Sequence, residues 1–76
     1  MLTQTRTDPA SYHIRAMFAA KAVQRGGVIR RNIAWADREI GRERLTAEVE
    51  MRGFHMVMCG GQYVIICDHG FLRVVC

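Results

Sequence analysis

Residues 54–67 read Phe54-His55-Met56-Val57-Met58-Cys59-Gly60-Gly61-Gln62-Tyr63-Val64-Ile65-Ile66-Cys67, two apolar runs on either side of a glycine pair. Glycine reaches the positive φ angles that two-residue hairpin loops require, so this stretch predicts a β-hairpin turning at Gly60-Gly61. Pairing Cys59 with Gln62 puts Phe54, Met56, Met58, Tyr63, Ile65 and Cys67 on one face, and His55, Val57, Cys59, Gln62, Val64 and Ile66 on the other. Asp68-His69-Gly70 then predicts a second turn and residues 71–76 a third strand, completing an antiparallel β-meander. Paired from Cys67 to Phe71, that strand adds Phe71, Arg73 and Val75 to the first face and Leu72, Val74 and Cys76 to the second. Neither face is polar, whereas an antiparallel sheet usually turns one side to water. Both sides therefore call for cover, either by helices on opposite faces or by helices on one face and a self-association or partner surface on the other.

Upstream of the hairpin, residues 34–52 have helical composition, but one continuous helix does not fit. Ile33, Ala36, Ile40, Ala47 and Met51 would share a face from which Leu45 and Val49 are displaced, and Gly41 lies where the phase slips. The reading is a short helix around residues 35–40 followed by a second over residues 42–52, stopped by Gly53. Residues 28–33, β-branched and preceded by Gly26-Gly27, predict a strand whose Arg30 and Arg31 point to opposite faces, which suits a sheet edge. Asp8-Pro9 is a good helix start and Gly26-Gly27 a matching stop. Within that first helix Tyr12, Ala16, Ala19, Ala20, Ala22 and Val23 are read as the core stripe. The opposite side then carries Lys21 and Arg25 beside Ile14 and Met17, with Phe18 at the margin. Those three apolar residues either cover the rim of the sheet or anchor a partner patch ringed by positive charge.

The fold class is thus α+β: N-terminal helix, strand, short helix plus helix, then the meander, with helices packed on a small antiparallel sheet. Seventy-six residues allow one domain, expected over residues 8–76, with residues 1–7 a flexible tail. No signal-peptide core and no membrane-length apolar run is visible, and three cysteines, an odd number, fit reduced thiols buried as small core residues. A cytoplasmic, non-membrane location is expected. The net charge of +4 is uneven: residues 1–31 hold six basic and one acidic residue, residues 32–54 four and five, residues 55–76 one of each. The positive field belongs to the first helix and strand, and it favours an anionic partner, whether nucleic acid or an acidic protein face.

No arrangement for catalysis stands out. The Cys-x7-Cys-x8-Cys spacing of Cys59, Cys67 and Cys76 matches no familiar zinc-ligand pattern, and the expected pairing puts Cys67 on the opposite face from the other two. Cys59 and Cys76, two strands apart, lie beyond disulfide reach, although Cys76 is placed to link two chains. Histidines 13, 55 and 69 are scattered, and no glycine-rich phosphate loop joins a strand to a helix. Gly60-Gly61-Gln62 is similar to the catalytic tripeptide of bacterial class I release factors, but only over three residues of an ordinary hairpin turn. The expectation is a non-enzymatic binding protein with no metal and no cofactor. The order helix, strand, helix, helix, strand, strand resembles a winged helix with residues 42–52 as recognition helix, but Glu43, Glu48 and Glu50 on that helix would repel phosphates.

Residues 19–31, from Ala19-Ala20-Lys21 to Ile29-Arg30-Arg31, with Asp37-Arg38-Glu39-Ile40-Gly41-Arg42 and the stretch from Arg52-Gly53-Phe54-His55 to Gly60-Gly61-Gln62-Tyr63-Val64, resemble a group of short phage- and prophage-borne proteins associated with anti-CRISPR inhibition of type I systems, the I-C subtype in particular. The resemblance implies a stoichiometric inhibitor in the host bacterial cytoplasm that docks on Cas subunits of the crRNA-guided surveillance complex (Cascade) and keeps target DNA out. On this reading Arg15, Lys21, Arg25, Arg30 and Arg31, beside Ile14, Met17 and Phe18, form the partner surface. It would occlude an acidic protein surface or engage the guide RNA. The alternatives are a small winged-helix-like nucleic-acid-binding regulator and a structural phage component. A homodimer through the apolar sheet face is a further expectation.

Overall fold

The structure, a computed structural model, describes residues 8–76; the expected tail at residues 1–7 lies outside the described residues. The elements are α1 (Pro9–Phe18), α2 (Lys21–Gln24), β1 (Val28–Asn32), α3 (Ile33–Glu39), α4 (Arg42–Met51), β2 (His55–Cys59) and β3 (Gln62–Ile66). Helices and a three-stranded antiparallel sheet make an α+β fold.

The hairpin forms in the expected register, with Cys59 opposite Gln62 and His55 opposite Ile66. Gly60 has a φ of 63° and supplies the positive angle at the first loop position. The third strand is not the expected one. Residues 71–76 are not a strand, because the free side of β3 is already taken by β1, from Val28 opposite Ile66 to Asn32 opposite Gln62. The ladder runs on past both ends, with the Ile33 amide donating to the Gly61 carbonyl and the Cys67 amide to Gly27. Strand order is β1-β3-β2, which leaves β1 at an edge, as its arginines suggested, and the last strand in sequence at the centre.

Asp8 caps α1, its Oδ1 accepting the Ser11 amide at 2.8 Å, and Pro9 opens the helix where no amide bond is lost. The helix ends much earlier than Gly26-Gly27. Ala20 is extended (φ −64°, ψ 152°), and the chain restarts as the single-turn α2, which packs on β1. Asn32 ends β1 and caps α3 through the Trp35 amide at 2.8 Å. The phase slip at Gly41 is real: Gly41 takes a φ of 101° and separates α3 from α4. Gly53, at φ 74°, follows the end of α4.

All the helices pack on one face of the sheet. The core joins Ile14, Met17 and Phe18 of α1, Ala36 and Ile40, Leu45 and Val49 of α4, and Ile29, Tyr63, Ile65 and Cys67 from the sheet side. Register makes the other face a grid of His55, Ile66 and Val28; Val57, Val64 and Arg30; and Cys59, Gln62 and Asn32. None of these nine is fully buried, so no second helix layer among the described residues covers them.

Candidate functional site

Between Asp8 and Asp37 the chain has no acidic residue, and the five cations in that interval are Arg15, Lys21, Arg25, Arg30 and Arg31. Arg15 stands exposed in the last turn of α1, where a cation also suits the negative end of the helix. Lys21 and Arg25, at the two ends of α2, are exposed, and the packing of α2 on β1 brings them to the strand that carries Arg30 and Arg31. Arg30 lies exposed on the outer sheet face. Arg31 is half-buried on the helix side, its Nη1 donating to the Arg30 carbonyl at 2.7 Å. Among the described residues none of these five side chains forms an ion pair with a carboxylate.

The cations of the helical pair behave differently. Arg38 meets Glu39 at 3.0 Å, Arg42 meets Asp37 at 3.3 Å, Arg44 meets Asp8 at 3.3 Å and Arg52 meets Glu48 at 2.7 Å. Positive potential is thus neutralised around α3 and α4 and left uncompensated around α2 and β1. On α4 the exposed Glu43 and Glu50 carry no ion pair among the described residues, so that helix presents net negative charge to solvent.

The apolar half of the expected partner patch is not at the surface. Ile14, Met17 and Phe18 are buried, Met17 with only 2 % exposure, whereas Tyr12, expected in the core, is 61 % exposed. Spaced i, i+3, i+4, the three form the true core stripe of α1. Phe18 stacks on Phe54 with ring centroids 6.2 Å apart, and the Arg52 guanidinium lies 4.3 Å above its ring. The structure places Lys21 and Arg25 at the two ends of α2 and Arg30 and Arg31 on the adjoining β1, the two arginines on opposite faces of the sheet, with Arg15 on α1 and without these anchors.

Two polar clusters were not anticipated from the sequence. The Tyr63 hydroxyl donates to Asp37 Oδ1 and accepts from Arg42 Nε at 2.6 Å, tying the central strand to both ends of the α3–α4 turn. Burial, followed by the bond to Asp37, holds the Tyr63 phenol above its ordinary range, and the bond to Tyr63 in turn raises Arg42. Arg44 reaches back to Asp8 and to the Ser11 hydroxyl, clipping α4 to the start of α1. The Ser11 amide bond holds the Asp8 carboxyl below its usual range. Both clusters are structural, since every group in them is satisfied by another.

Between α4 and β2 runs a groove of about 390 Å³ lined by Thr46, Val49, Phe54, Met56, Met58 and Leu72 among others. Of the thiols, Cys67 alone is buried, and that burial raises its pKa; Cys59 and Cys76 are exposed, against the expectation of three core cysteines. Among the described residues no three His, Cys, Asp or Glu side chains gather as a metal site would need, and no helix is long and apolar enough to cross a membrane. No family model, curated protein or solved structure gives a significant match to this chain.

Proposed function

We propose that this protein acts by binding rather than by bond-making, and that its target is a nucleic acid held on the cationic surface of α2 and β1 in the cytoplasm. The observation that carries the reading is the acid-free interval from Pro9 to Ala36, whose five cations have no carboxylate partner among the described residues while those around α3 and α4 are compensated. Uncompensated side-chain cations on neighbouring elements are what a phosphate backbone engages, each releasing condensed counterions on contact. The connectivity, with helices before and between strands ordered β1-β3-β2, resembles a winged helix, a frame in common use for such binding. That part of the support is analogy of fold, and function rests on the surface. The contact surface differs from the usual one, because Glu43 and Glu50 make α4 unsuited to lie against phosphates.

The test is fluorescence anisotropy with labelled duplex DNA, single-stranded DNA and RNA across about 50 to 200 mM salt. Affinity should fall steeply with salt, and each of Lys21→Gln, Arg25→Gln and Arg30→Gln should reduce the logarithmic slope by about 1. Absence of binding to all three, or slopes untouched by the substitutions, would overturn the reading.

The acidity of α4 favours one second reading, the anti-CRISPR inhibitor that the sequence resemblance implies. A small protein with one cationic and one anionic side is suited to a ribonucleoprotein, where guide RNA and basic Cas subunits lie side by side. Under this reading purified protein is captured by a type I surveillance complex and blocks its binding to target DNA, while free DNA is bound weakly. Failure to capture a Cas subunit would remove it.

A further inference from the structure

We propose that residues 71–76 are an exchange strand, and that two copies of the chain dimerise by each laying this segment along the free edge of β2 of the other. In the strand order β1-β3-β2, β2 pairs with β3 on one side only, so the outward amides and carbonyls of its five residues have no ladder partner among the described residues. Edges left open in this way are normally protected by charge, proline or a bulge. The β1 edge has Arg30 and Arg31, but His55, Met56, Val57, Met58 and Cys59 include no lysine, arginine or proline.

The occupant is defined by its own chemistry. Residues 71–76 are rich in aromatic and β-branched side chains with one charge, Arg73, a strand-forming composition. Phe71 is fully exposed, Val75 90 % and Val74 77 % exposed, in a protein that buries its other phenylalanines at least in part. The segment leaves the fold beside β2. His55 Nε2 bonds to the Gly70 carbonyl, the His69 ring lies 5.4 Å from that of Phe54, and Leu72 lines the groove beside Val57 and Met58. Even so, no backbone hydrogen bond joins residues 71–76 to β2 within the chain.

Geometry explains why the pairing is left to a second copy. A strand starting next to His55 and following its own β2 towards Cys59 would run parallel to it, the weaker ladder. A neighbouring molecule related by a two-fold axis can present the same segment antiparallel. Each copy carries both the donor segment and the acceptor edge, so the exchange is reciprocal and closes at two chains. The inference is independent of the nucleic-acid reading, since Arg15, Lys21, Arg25, Arg30 and Arg31 take no part in it.

The experiment is multi-angle light scattering on the full chain over a concentration series, with hydrogen exchange of the β2 amides and the double substitution Phe71→Asp, Val74→Asp. A dimer mass is expected, with outward β2 amides protected; the double variant should be a monomer with an unchanged circular dichroism spectrum and exposed β2 amides. A monomer at every concentration overturns the proposal, including one whose β2 amides are protected, which would place the strand in its own chain. So does a dimer that survives the double substitution. Should that variant unfold, Val75→Asp alone gives the same readout.

Discussion

Tyr63 and Arg42 are joined by a 2.6 Å hydrogen bond that runs from the first residue of α4 to the middle strand of the sheet. The phenol ring is 1 % exposed while its hydroxyl reaches the protein's polar margin, where Asp37 is the second partner. One side chain therefore serves as core and as fastener.

Tyr63→Phe keeps the ring and deletes the fastener. The expected loss is about 1 kcal/mol, the net worth of a typical hydrogen bond, read as a lower urea midpoint with an unchanged slope. The pH dependence has a definite sign. A phenol whose proton is held more tightly in the folded than in the unfolded chain stabilises the fold fully below the ordinary phenol range, and that contribution disappears as pH rises through the raised value. Stability should fall above pH of about 10, and Tyr63→Phe should flatten that fall. An equally steep alkaline loss in the variant would show that another group is responsible.

Met17→Ala and Tyr12→Ala separate the two orientations of α1. With Met17 buried and Tyr12 exposed, the first should cost about 2–5 kcal/mol and the second no more than about 0.5 kcal/mol. A chain of 76 residues is stable by about 4–11 kcal/mol in all, so Met17→Ala should consume a large part of the margin. The reverse ranking in chemical denaturation would return Ile14, Met17 and Phe18 to the surface.

Gly27→Ala and Gly61→Ala should differ although both glycines flank strands. A Cβ at Gly27 would stand 2.9 Å from the Ala22 carbonyl oxygen and 3.3 Å from its Cβ, so the α2–β1 turn must shift, at a cost on the order of 1–3 kcal/mol. At Gly61 nothing lies within 4 Å and φ is not positive, so alanine there should leave the thermal midpoint unchanged or slightly raised.

Thiol labelling under native conditions should proceed in two phases. Cys59 and Cys76 are exposed and react fast; Cys67, buried and with its pKa raised by that burial, should react at the rate at which the fold opens. Mass spectrometry of the labelled sites checks this, and rapid labelling of Cys67 would contradict its place in the core.

The hairpin, its register, the edge position of β1 and the break at Gly41 were legible because each rests on local rules: glycine at a tight loop, alternation in strands, and the angular drift of a helix. The face of α1 was misread for a local reason too. Ala19, Ala20, Ala22 and Val23 share a face with Tyr12 only if the helix is continuous, but the chain bends at Ala20, so residues beyond it carry no information about the α1 stripe. The triplet Ile14, Met17 and Phe18 was the stronger signal, being larger and correctly spaced. The third strand could not be read locally, because residues 71–76 and 28–32 both have strand composition and only the assembled sheet decides which one lies beside β3. The bonds of Tyr63 to Asp37 and Arg42 span 26 and 21 residues and follow from tertiary placement alone. The excess of positive charge over residues 9–36 is legible in the sequence, whereas its lack of carboxylate partners among the described residues depends on where the ion pairs of α3 and α4 form.

Because β3 is flanked by β1 and β2, the sheet has no template until its middle member exists, and that member is the last of the three to be synthesised. A nascent chain can coil its helices early, but Ile29 must wait for Ile65, thirty-six positions later, before it has a ladder to join. Maturation is governed by this delayed, distant encounter, giving slower kinetics than a helical bundle of equal size.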